Sequence, residues 1–109
     1  MAFDEYLGER IAQNLNQRKV LFEEKKMFGG LAFMINGKMC VGIVKNEMMA
    51  RIGPDAMDEA LKMEGCRIMD FTGRPMKGYV FISQDGIDSE ENLNYFIELA
   101  LKFNTELTS

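Results

Sequence analysis

Asn36-Gly37 stands between two strand-like runs, Leu31 to Ile35 and Lys38 to Val44. A two-residue type I′ turn needs positive φ at both central positions, and Asn followed by Gly accepts that at the least steric cost. The chain must therefore build an antiparallel ladder here, and everything else has to be arranged around it. In the returning run Met39, Val41 and Ile43 alternate with Cys40, Gly42 and Val44. Both faces of that strand are apolar, so it belongs near the centre of a sheet.

Elements on either side extend this ladder. Phe3, Leu7, Ile11 and Leu15 recur at helical spacing, with Tyr6 widening the stripe, Asp4 or a neighbour as a cap, and Arg18 and Lys19 in the last turn. Val20 to Met27 reads as an extended stretch and Phe28-Gly29-Gly30 as a turn or bulge. After a turn at Lys45-Asn46-Glu47, Met48 to Ile52 is a further strand, and Gly53-Pro54 ends the meander. Asp55 to Met63 is a short helix with Gly65 as its stop, and Cys66 to Phe71 is a strand. Thr72 to Gly78 reads as a loop, Tyr79 to Ser83 as a strand, and Asp85-Gly86 as a turn. A final helix is capped by Asp88, with Leu93, Phe96, Ile97, Ala100, Leu101 and Phe103 on its apolar face and a frayed tail from Thr105 to Ser109. Strands and helices segregate, which predicts an α+β class: a curved antiparallel sheet packed on one face by the N- and C-terminal helices, with one short helix inserted. A chain of 109 residues, 47% hydrophobic, suits a single domain with one core.

Composition narrows the chemistry. Histidine is absent, so the commonest general base is missing, and Ser83, Ser89 and Ser109 lie in no nucleophile elbow. Cys40 and Cys66 are 26 residues apart and form no C-x-x-C pair; they read as small buried apolar residues, with no metal site and no cofactor expected. The chain is expected not to be an enzyme, although a carboxylate pair assembled in space is left open. The net charge of −4 argues against a domain built to grip nucleic acid. The N-terminus is unlike a signal peptide and no run approaches a membrane span, so a cytoplasmic protein is expected. From Asp85 to Glu106 six acids face a single Lys102, a pattern read as a solvated helix face.

Three features carry the remaining candidates. Gly29-Gly30 lacks the lysine and the strand–loop–helix setting of a phosphate loop, and reads as a structural irregularity. The ten methionines read first as core filler and second as a soft partner-binding surface. Arg51, Arg67, Arg74 and Lys77 would make an anion- or partner-binding edge if the ends carrying them converge; otherwise they pair with Asp55, Asp58, Asp70 or other nearby acids.

Met27-Phe28-Gly29-Gly30, Phe33, Asn36-Gly37-Lys38-Met39, Gly42, Ala50-Arg51 and Gly73-Arg74-Pro75-Met76-Lys77-Gly78-Tyr79-Val80, in that order, resemble the N-terminal domain of the TfoX (Sxy) competence regulators. The likeness runs over about residues 3 to 105. It implies an α+β sheet flanked by helices and a regulatory role, since full-length relatives promote expression of DNA-uptake genes together with the cyclic-AMP receptor protein. It transfers no catalytic residue, and it gives Gly29, Gly30, Asn36, Gly37, Gly73, Pro75 and Gly78 structural roles. The chain stops at Ser109 without the C-terminal domain of the longer regulators, so a stand-alone member is expected. The leading expectation is a non-catalytic regulatory domain acting by protein–protein contact, with the cyclic-AMP receptor protein or RNA polymerase as partners implied by the resemblance. A nucleic-acid-binding domain and a small-molecule binder or enzyme are the alternatives, and an exposed sheet edge leaves a homodimer open.

Overall fold

The computed structural model describes residues 4–27, 29–71 and 73–108. Phe3 of the first apolar stripe, Phe28 of the glycine turn and Thr72 of the expected loop lie outside the described residues.

The first helix, α1, spans Glu5–Gln17, and the Asp4 carboxylate accepts a hydrogen bond from the Leu7 N–H at 3.1 Å. It ends in a left-handed residue, Lys19 at φ 60°, with the Val20 N–H reaching back to the Leu15 carbonyl and the Lys19 N–H to that of Asn16. That is a Schellman closure built without the customary glycine.

Six strands follow: β1 (Glu23–Met27), β2 (Gly30–Ile35), β3 (Lys38–Val44), β4 (Glu47–Arg51), β5 (Cys66–Phe71) and β6 (Arg74–Ile82). They form one sheet in the order β1-β2-β3-β4-β6-β5, every neighbouring pair antiparallel. The turn residues Asn36 and Gly37 have φ 55° and 78°, as the type I′ hairpin requires. Because β4 and β5 both run antiparallel to β6, they are parallel to each other and need a crossover. A 3-10 turn at Pro54–Ala56 and the short helix α2 (Met57–Ala60) supply it. The closing helix, α3, spans Glu90–Thr108.

Both long helices cover one face of the sheet. Leu7, Ile11 and Leu15 of α1 and Leu93, Phe96, Ile97 and Ala100 of α3 bury against Phe33, Val41, Ile43, Met48, Ala50, Val80 and Ile82. The opposite face carries its own cluster, with Met49, Met69 and Phe81 buried and Met39, Val44, Met76 and Tyr79 packed around them.

Several expectations need correction. Phe33 pairs with Val41 but Met34 with Met39, so Cys40 is an extra residue in β3. This bulge turns Cys40 inward beside Val41 and sends Met39 to the other face, against strict alternation. The expected loop from Thr72 is mostly strand from Arg74 onward, while Tyr79 to Ser83 was only its second half. Ile68 pairs with Val80 but Asp70 with Pro75, so β6 is longer than its partner and bends. Gly78 makes the bend at φ 92°, its carbonyl accepting the N–H groups of Ile52 at 2.8 Å and Gly53 at 3.1 Å. The turn residues mark a kink in a strand rather than its end. Ser89, not Asp88, caps α3, its hydroxyl accepting from the Asn92 N–H at 3.1 Å, and the tail stays helical to Thr108. The first strand begins at Glu23 rather than Val20, and the helix expected over Asp55 to Met63 is regular only from Met57 to Ala60.

Candidate functional site

The face of the sheet away from α1 and α3 is organised by β6. Tyr79 lies opposite Arg51 of β4, and Phe81 lies between Met49 of β4 and Arg67 of β5. Successive positions on one face of a strand are roughly 7 Å apart. The two rings are thus neighbours, and each carries an arginine from a flanking strand.

The Arg67 guanidinium carbon stands 5.0 Å from the Phe81 ring centre. Its fork reaches past that ring to Glu47 of β4, with Nη2 donating to Oε1 at 2.9 Å and Nη1 paired with Oε2. The hydrogen bonds from Arg67 hold the Glu47 carboxyl below its usual 4.5, and the carboxylate in turn raises the guanidinium. Arg51 has a different setting. Its guanidinium carbon is 5.3 Å from the Tyr79 ring and 5.6 Å from that of Phe103 on α3, so two aromatic rings hold one cation. Arg74 and Lys77 are exposed on the half of β6 beyond the Gly78 bend, with Arg74 opposite Phe71 near the hairpin turn. Of the four basic residues singled out in the sequence, Arg51 and Arg67 therefore come to neighbouring rings of one strand, while Arg74 and Lys77 extend along the same strand past its kink.

Around these cations the surface is soft. Met39, Val44, Met76 and Tyr79 are half-buried over Met49, Met69 and Phe81. Sequence reasoning missed Glu47 as the partner of Arg67, having looked to Asp55, Asp58 and Asp70, because the strand order that brings β4 and β5 to either side of β6 is not a local property. It also missed the rings as arginine seats. The alternation of Tyr79 and Phe81 with Val80 and Ile82 was the available signal.

The thiols are poor nucleophiles. Burial pushes Cys40 up to about 12, with the nearby Arg51 charge opposing in part, and pushes Cys66 up to about 11. Both cysteines are free. Among the described residues no group of three or more Cys, Asp or Glu side chains is placed to hold a metal ion, and no helix is long and apolar enough to cross a membrane.

A single antiparallel sheet, roofed on one face by two helices and presenting thioether and aromatic side chains on the other, defines a small two-layer α+β domain. The chain belongs to the TfoX N-terminal domain family, whose model matches residues 17–104. That span begins at the end of α1 and takes in all six strands, α2 and most of α3. Comparison with curated proteins and with solved structures gives no match.

Proposed function

We propose that this domain is a non-catalytic regulator that works by holding a protein partner, in the control of competence or of transcription. Family membership supports the regulatory half of this reading. The contact half rests on one observation: the sheet face without a helical layer is built from Met39, Met49, Met69, Met76, Tyr79 and Phe81, with Arg51 and Arg67 fixed over the rings. Methionine reshapes at little cost, and aromatic rings, methionine and arginine are the side chains enriched at protein interfaces. RNA polymerase and the cyclic-AMP receptor protein are the first partners to examine.

The test is recovery of partners from the native host with the wild-type domain and with a Met39→Ser, Met76→Ser double variant. The expected result is a stable partner with the wild type and at least tenfold less of it with the variant, at unchanged melting temperature. Equal recovery by both, or no partner with the wild type when both candidates are probed directly, rejects the reading.

A further inference from the structure

A second surface lies on the helical side of the molecule. Leu99, Lys102, Phe103 and Glu106 are spaced i, i+3, i+4, i+7 and so share one flank of α3. Across from them, Ile52 to Ala56 and Glu59 form the other wall of an open cleft of about 200 Å³. Its floor is apolar, with Ile52 buried and Leu99 and Phe103 half-buried. That floor is fixed in place by Gly53, where any Cβ would stand 2.4 Å from Cδ1 of the Phe103 ring.

The rim is acidic. Asp55 and Glu59 stand exposed on one wall and Glu106 on the other; Lys102 is among the lining residues, and the Arg51 guanidinium carbon stands 5.6 Å from the Phe103 ring at the edge of the floor. Asp58 adds a fourth carboxylate next door, and no Lys or Arg occurs between Pro54 and Leu61. An apolar floor with a carboxylate rim complements a side chain that is apolar along its stem and cationic at its tip. The fork of an arginine spans two carboxylates better than the point charge of a lysine. Anionic ligands and nucleic acid meet the wrong sign of charge here. The volume is that of a seat for one long side chain.

We propose that this cleft is a docking site for a basic, amphipathic segment of a partner protein, anchored by one arginine. The stem of that arginine packs on Phe103 and Leu99, and its guanidinium lies between Asp55 and Glu59. This surface meets the methionine-rich sheet face at Arg51, which lies between Tyr79 and Phe103, but the residues varied on each are distinct and the two can fail independently.

The probe is a short fluorescein-labelled peptide of repeating Leu and Arg, titrated by anisotropy against the whole chain. Asp55→Asn with Glu59→Gln should weaken binding about tenfold, and replacing the peptide's Arg by Lys should weaken it several-fold. A control, Glu23→Gln with Glu24→Gln on β1, removes the same charge elsewhere and should leave the affinity within about twofold. All four positions are exposed, so melting temperatures should agree. No binding by the wild type overturns the proposal. Equal loss in the control also overturns it, since the attraction is then diffuse. So does a dimer in light scattering that Asp55→Asn with Glu59→Gln dissociates, since the occupant is then a second copy of this chain.

Discussion

Arg51 holds its guanidinium carbon 5.3 Å from the ring centre of Tyr79, the residue directly opposite it on the neighbouring strand. The same cation is 5.6 Å from the Phe103 ring, so one side chain ties the end of β4 to β6 and to the last turns of α3. Each such contact is worth about 0.5–1 kcal/mol at a partly exposed site. Arg51→Ala should therefore lower the unfolding free energy by about 1–2 kcal/mol, including the lost packing of the stem. Arg51→Lys should restore part of that. Urea denaturation of the three proteins checks the order.

Asn104 is the one buried polar side chain among the described residues. Its amide donates to the Ile35 carbonyl at 2.9 Å, and its carbonyl accepts from Asn36 Nδ2 at 3.1 Å, fastening α3 to the β2–β3 hairpin. Asn104→Leu leaves the Ile35 carbonyl without this donor and should cost about 1–3 kcal/mol. Asn36→Gly keeps the positive φ of the turn and should cost less. Hydrogen exchange at the hairpin should quicken in the first variant more than in the second.

Glycines separate steric crowding from backbone conformation. A Cβ at Gly30 would stand 2.1 Å from the Ile43 carbonyl oxygen, in the backbone of the paired strand, and nothing flexible can yield. Gly29 has φ 71° and open space around the added carbon. Gly29→Ala should cost about 1–2 kcal/mol for the left-handed conformation alone, whereas Gly30→Ala should break the β2–β3 ladder and cost more. Conversely, Lys19→Gly at the close of α1 should raise stability by up to about 1 kcal/mol. Melting curves of the three variants test the ranking.

Glu47 predicts an acid limb. Its folded carboxyl lies below its ordinary value, so the pair with Arg67 contributes stability that is complete above about 4.5 and fades as the pH falls through the lower, folded value. Half of the Arg67 side chain is in solvent, at 53% exposed, which limits the contribution to under about 1 kcal/mol. Glu47→Gln should lower stability by up to about 1 kcal/mol above pH 4.5, pH 7 included, and converge on the wild type at lower pH, which flattens the acid limb. Urea midpoints across that range measure it.

The thiols should behave as buried groups. At pH 8 Cys66, half-buried and raised to about 11, should alkylate slowly, and Cys40, raised to about 12, only on unfolding. Because both folded values lie above the ordinary thiol value of 9.0, the neutral thiols favour the folded state below that pH, and this contribution declines as the pH rises toward 11 and 12. Mass spectrometry after timed iodoacetamide exposure follows each site.

Some of this molecule is local and was legible in the order of residues. The Asn36-Gly37 hairpin, the full extent of β3 and β5, the Asp4 cap and the amphipathic stripes of α1 and α3 depend on backbone sterics and periodicity within a few residues. Other features were settled only when distant segments met. Cys40 faces the core because β3 carries one residue more than β2 can pair, and Gly78 kinks a strand because Ile52 and Gly53 donate to its carbonyl. Arg67 grips Glu47 because β6 inserts between strands that precede it in the chain. Turn chemistry and helical periodicity act over a handful of bonds, so sequence determines them directly. Sheet order, bulge placement and charge partnership depend on which ladders form across long loops, and that choice belongs to the packed whole.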